Sequence, residues 1–161
     1  MSPLVNGTYS PVYTYTYDSG GGGGNQAGRL AQVSYRTGSN NFDQVTETYG
    51  YTPAGLVSSK TMTVAYCTQF NPNVCGYASP LVVSATYDNE GRRATMTTPV
   101  HSFSYSYDSM DRVTGMTDPG SGNPYVNGIQ YNAANQMTNI NYSATAGGAL
   151  TYETRTYNSL P

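Results

Sequence analysis

Tyr87–Asp88–Asn89–Glu90–Gly91–Arg92 returns, altered, along this chain. Tyr107–Asp108–Ser109–Met110–Asp111–Arg112 repeats it closely, and Tyr51–Thr52–Pro53–Ala54–Gly55–Leu56 and Tyr131–Asn132–Ala133–Ala134–Asn135–Gln136 repeat it more loosely. A fifth copy opens at Tyr17–Asp18 and resumes at Gly28–Arg29–Leu30 after a Gly-rich insertion over residues 19–28. A sixth begins at Tyr157–Asn158. Internal repetition of this kind sets the architecture before any single motif is weighed.

The phrase reads as a tight turn. Asp or Asn after the tyrosine opens a type I turn, because its side chain hydrogen-bonds the backbone two residues on. Three positions later stand Gly55, Gly91, Asp111 and Asn135, with Gly28 in the expanded copy. These residue types tolerate a positive φ. A type I turn followed by one left-handed residue is a three-residue hairpin connection that closes on a bulge. The flanks alternate with period two: Tyr9, Tyr13, Tyr15 and Tyr17 against Ser10, Val12, Thr14 and Thr16, and His101, Phe103, Tyr105 and Tyr107 against Ser102, Ser104 and Ser106. Such alternation, rich in Thr, Tyr and Val, marks strands. The sequence therefore predicts an all-β chain of tandem antiparallel hairpins. The turn tyrosines are spaced by 34, 36, 20, 24 and 26 residues. The shorter gaps suit two strands and their connections, and the longer ones hold excursions, one of them Tyr66–Cys67 to Cys75–Tyr77.

Composition narrows the function. The 161 residues include 17 Tyr and 18 Gly, and only 10% are charged, for a net charge of −2. That balance offers no electrostatic pull toward nucleic acid or an anionic membrane surface. No apolar run nears the roughly 20 residues of a membrane span, and the start shows no signal peptide. The length suits one domain over residues 1–161.

The tandem Tyr-Asp-x-x-Gly-Arg unit resembles the YD-repeat family of bacterial Rhs proteins, toxin-complex proteins and teneurins. The resemblance rests on Tyr17–Asp18 with Gly28–Arg29, Tyr87–Asp88 with Gly91–Arg92, and Tyr107–Asp108 with Arg112. It implies a spiral or open sheet of antiparallel hairpins, which in large members winds into a shell around a cargo polypeptide. Five or six hairpins would make part of one turn of such a wall.

Candidate chemistry yields to plainer readings. The glycine run fits Gly22-x-Gly24-x-x-Ala27, but a phosphate loop needs a helix after it, and residues 29–35 read as a strand. The reading preferred is a flexible insertion. Asp18, Asp88, Asp108 and Asp111 have turn duties, and Glu47, Glu153, Asp43 and Asp118 form no recognisable catalytic pair. His101 is the only histidine and falls on an aromatic stripe, where stacking beside Phe103 and Tyr105 suffices. One His and two Cys do not make a zinc site. No catalytic, cofactor-binding or metal residue is expected. Arg29, Arg92, Arg93 and Arg112 read as lateral partners for turn acids.

Cys67 and Cys75 flank Asn71–Pro72–Asn73, which is turn chemistry, so the two can face one another in a disulfide; two free thiols are the alternative. A disulfide would favour an extracellular setting. Asn6 and Asn141 head N-glycosylation patterns, which makes glycans conceivable partners.

The ends pose the remaining question. A sheet that does not close leaves unpaired end strands, a template for another chain. Residues 1–18 read as an exchange strand, uncharged from Tyr9 to Tyr17, and Tyr157 opens a turn at the other end. With Tyr9, Tyr13, Tyr15 and Tyr157 as assembly residues, one copy completes the sheet of the next, and a heterologous contact of that sort builds a filament. The expectation is a non-enzymatic structural protein that polymerises head-to-tail outside the cell. The alternatives are a fragment of a larger Rhs-type shell enclosing a toxin, and a Tyr-lined carbohydrate-binding module.

Overall fold

The computed structural model describes residues 4–5, 8–9, 12–18, 25–37, 43–68, 71–142 and 151–158. Asn6 and the glycine run 19–24 lie outside these residues, as do the side chains of Tyr9 and Cys67. The chain is all-β: every described regular element is a strand, and twelve of the strands form an open, unclosed antiparallel sheet.

Contacts divide the chain into two compact units, Met1–Ala85 and Thr86–Pro161. In the first, β1 (Leu4–Val5) and β2 (Thr8–Tyr9) pair with each other alone. Then come β3 (Thr14–Tyr17), β4 (Leu30–Thr37), β5 (Asp43–Tyr51), β6 (Val57–Thr68), β7 (Asn71–Tyr77) and β8 (Leu81–Tyr87), the last running across the division. Each of β3 to β6 pairs antiparallel with the next in sequence. One edge of β6 is shared: its end, Ala65–Thr68, takes β7, and Ser59–Met62 takes β8. The β6–β7 hairpin is the excursion expected from the long tyrosine spacing, and it sets Cys67 opposite Cys75.

In the second unit β9 (Arg93–Thr97), β10 (Ser102–Tyr107), β11 (Val113–Thr117), β12 (Pro124–Tyr131), β13 (Met137–Tyr142) and β14 (Thr151–Thr154) form a simple meander. β3 and β14 each have one strand neighbour and are edge strands.

Two sequence expectations change. A continuous strand from Tyr9 to Tyr17 is replaced by β2, which ends at Tyr9, and β3, which starts at Thr14. Pro11 stands between them and brings no N–H to a ladder. His101 precedes β10 instead of lying in it: its N–H meets the Thr98 hydroxyl at 3.0 Å and its carbonyl accepts from the Thr98 N–H at 2.7 Å. That turn satisfies the backbone groups a strand would have used.

Burial is shallow. Among described residues the buried apolar set is Ala31, Val33, Val45 and Ala65 in the first unit and Ile140 in the second. A sheet normally hides one face under a second layer; here stability rests heavily on ladders, turns and contacts between neighbouring hairpins.

Candidate functional site

The repeated turns are built alike. In four of them the N–H of the left-handed residue meets the carbonyl of the turn opener: Gly55 with Thr52, Gly91 with Asp88, Asp111 with Asp108, and Asn135 with Asn132, at 2.9–3.1 Å. The left-handed residues have φ of 87°, 81°, 62° and 60°. Register shifts at Gly50/Tyr51, Ser106/Tyr107 and Gln130/Tyr131 are the bulges such turns impose.

The opener's side chain finishes each turn. Asp108 Oδ1 accepts from the Met110 and Arg112 N–H groups at 2.9 and 3.0 Å, and its Oδ2 accepts from Arg112 Nε at 2.7 Å. Asp88 does the same with Glu90 and Arg92. Asn132 accepts from Ala134 and Gln136, and Thr52 Oγ1 from Leu56. The backbone bond from Arg112, aided by its side chain, holds the Asp108 carboxyl below the usual carboxylate range against desolvation. At Asp88 desolvation pushes up, and the bonds from Arg92 and Glu90 outweigh it, so its carboxyl too is held low.

A second layer of contacts joins each hairpin to its successor. The tyrosine that leads into a turn donates its hydroxyl to the first carbonyl of the preceding return strand. Tyr51 reaches Leu30, Tyr107 reaches Arg93, Tyr131 reaches Val113 and Tyr157 reaches Met137, at 2.7–2.8 Å. The arginine just before that carbonyl lies over the same ring: Arg29 over Tyr51 at 5.6 Å, Arg92 over Tyr107 at 4.9 Å and Arg112 over Tyr131 at 4.6 Å. The guanidinium continues to the next turn. Arg92 Nη1 donates to Asp111 at 2.6 Å and Arg112 Nη1 to Asn135 at 3.0 Å. Arg29 packs where a Cβ on Gly55 would fall, 2.5 Å from its Nη2. Where Gln136 replaces the arginine, its Oε1 accepts from Asn132 within its own turn at 2.7 Å.

Of the arginines expected to serve turn acids, Arg92 and Arg112 do so, while Arg29 bonds the Asn25 carbonyl at 2.7 Å and Arg93 reaches the Met96 sulfur. In the expanded turn Asp18 accepts from the Gly28 N–H, and the Asp18 N–H closes on the Arg29 carbonyl. The end of the insertion is docked onto β5. Gln26, the buried polar residue of the described set, donates to the Tyr49 carbonyl at 2.8 Å, and Asn25 donates to Tyr51 at 3.1 Å.

Other expected sites scatter. His101, Phe103 and Tyr125 cluster, with centroids 5.3–6.5 Å apart, beside a shallow, open groove lined also by Thr98, Pro99 and Asp118. Asp118 caps its own turn through Gly120 and Ser121. Asn141 is half-buried in β13, accepting from Asn139 at 3.2 Å. Tyr13, just before β3, meets Tyr35 of β4 at 5.0 Å between ring centroids.

Sequence reading missed the pairing of Glu47 with Lys60. Glu47 accepts from the Lys60 ammonium at 2.8 Å and the Tyr49 hydroxyl at 2.7 Å. The Lys60 bond draws its carboxyl below the usual range against the opposing effect of burial. Glu47 and Tyr49 share a face by the two-residue period, and Lys60 stands opposite Tyr49 in register; no local motif announces a pair made across strands.

The contacts described are structural: they fasten hairpin to hairpin through a tyrosine, a turn carboxylate or amide, and an arginine. A search of curated proteins returns no match. Residues 87–122, which span the Asp88 and Asp108 turns, match the family model described as RHS Repeat. Residues 87–122 are therefore similar to an RHS repeat, the family that the Tyr-Asp units resemble.

Proposed function

We propose that the chain is a non-enzymatic structural repeat protein that assembles head-to-tail into an extracellular filament by β-strand addition. The observation that carries this reading is the open sheet, whose edge strands β3 and β14 each have one free ladder edge among the described strands. An unpaired ladder edge is a template for another strand. The edges are tyrosine-rich: Tyr15 and Tyr17 at one and Tyr152 at the other are more than half exposed, and Tyr13, just before β3, nearly so. A structural role is supported by the repeat's own polar side chains, which are engaged in turns and joints. Negative-stain microscopy of the purified chain should show long unbranched fibres; a population that stays monomeric at high concentration rules the filament out.

The extracellular part of the proposal draws on the cysteines. Cys67 and Cys75 are register partners, and no described cysteine is free. A disulfide there closes a short loop and stabilises by about 2–3 kcal/mol in the chain-entropy model. Alkylation and mass measurement with and without reduction checks it: two thiols alkylated without reductant would remove this support.

A second reading, a segment of a larger Rhs-type wall around a toxin, is favoured by the joint itself. The same tyrosine–carbonyl–arginine contact recurs at Tyr51, Tyr107 and Tyr131, a joint that a longer array can repeat.

A further inference from the structure

Arg29, Arg92 and Arg112 each serve the hairpin after their own turn, and among the described residues no arginine serves the hairpin that Tyr17 leads into. Tyr17 stands where Tyr51, Tyr107 and Tyr131 stand, at the end of a strand leading into a turn. Those three each give a hydroxyl to a carbonyl and a ring face to a guanidinium. Tyr17 is 57% exposed, and among the described residues its hydroxyl meets no carbonyl and its ring no cation. The turn residue beside it agrees. At Gly55 the place of a Cβ is filled by Arg29, whereas at Gly28, with φ 70°, nothing among the described residues lies within 4 Å. Tyr17 ends β3, whose second ladder edge is free among the described strands, and Gly28 stands just before β4, the strand paired with β3.

We propose that Tyr17, Gly28 and the free edge of β3 form a socket for an arginine-bearing return strand from another YD-type polypeptide. The incoming strand pairs antiparallel with β3. Its arginine lies over the Tyr17 ring and against Gly28, and the carbonyl after that arginine accepts the Tyr17 hydroxyl. The filled joints at Tyr51, Tyr107 and Tyr131 are the pattern for this occupant. A folded second copy does not supply it, because Arg29, Arg92 and Arg112 are already engaged on the copy's own hairpins. Nor does the copy's exposed strand β14, which leads toward Tyr157 and whose neighbouring Arg155 is engaged with Glu153. The proposal rests on the strand-addition reading of the β3 edge and adds the chemistry of the strand preferred there. Such a strand competes with a second copy and caps a growing end.

The test uses the full chain and a labelled peptide with the sequence of residues 107–117, beside a version carrying Arg112→Gln. Fluorescence anisotropy should show saturable binding of the arginine peptide. Loss of its cation–π and hydrogen-bond contacts should weaken the glutamine peptide about three- to tenfold. Tyr17→Leu in the protein, at an exposed edge position, should abolish the difference between the two peptides. Equal binding of both peptides to the unmodified chain overturns the socket, as does a preference for arginine that survives Tyr17→Leu. Arginine-dependent binding by a chain that forms no fibres keeps the socket and discards the filament. Fibres whose length is indifferent to the arginine peptide keep the filament and discard the socket.

Discussion

Thr52, Asp88, Asp108 and Asn132 hold the same post in four turns, and each meets it with a short side-chain oxygen aimed at the backbone ahead. Only such side chains reach those N–H groups from the opener's position, which is why the turn residues were legible in the sequence. Gln26 and Glu47 were not, because their partners are 23 residues away on another strand and 13 residues away across a ladder. Glu47 gives a pH prediction. Its pKa is lowered in the fold, so its stabilising contribution is present above the unfolded value of about 4.3 and is lost as pH falls through the folded value. Asp88, Asp108 and Asp118 are lowered as well and add to the same acid-side loss. Melting temperature followed from pH 5 downward should therefore fall. It should fall less steeply in Glu47→Gln, which at neutral pH loses about 0.5 kcal/mol, the scale of a largely solvent-screened pair. Parallel acid limbs would show that Glu47 is no better stabilised in the fold than in the open chain.

The hairpin is the unit of both local structure and coupling. Its turn can be read from six residues, but its grip on the next hairpin depends on a tyrosine and an arginine about twenty residues apart in sequence, as with Arg112 and Tyr131. Sequence reading saw both residue types and gave the arginine to its own turn acid; the fold gives it a second task. Tyr131→Phe keeps the ring beneath Arg112 and removes the bond to the Val113 carbonyl. Loss of one part-buried hydrogen bond costs about 1 kcal/mol, to be read as a lower denaturation midpoint at unchanged slope in urea. Tyr105→Phe, whose hydroxyl reaches only the Met96 sulfur at 3.8 Å, should cost less. Equal losses would mean that the joint adds nothing beyond ring packing. The strand expected over residues 9–17 was misjudged at this scale, since alternation outlined one stripe where the fold has two strands, β2 ending at Tyr9 and β3 starting at Thr14.

At the scale of the molecule the sequence showed a sheet class and open ends, while the division into two compact units was invisible, because the repeat runs through it within β8. Function was the least legible, since the repeat spends its chemistry on its own construction. The edges can still be tested. Lysine on an edge strand blocks pairing with another chain, so Thr14→Lys combined with Thr151→Lys, both exposed positions, should turn the expected fibres into monomers with an unchanged β-sheet circular dichroism spectrum. Fibres that persist would place assembly elsewhere than on the two edges. The direction of the joint has a consequence for biosynthesis. Arg29, Arg92 and Arg112 each serve a tyrosine that comes later in the chain. Translation delivers the N-terminal part first, so every guanidinium leaves the ribosome before the ring it will cover. The array can thus be laid like courses of shingles, each new row meeting an overlap already nailed down.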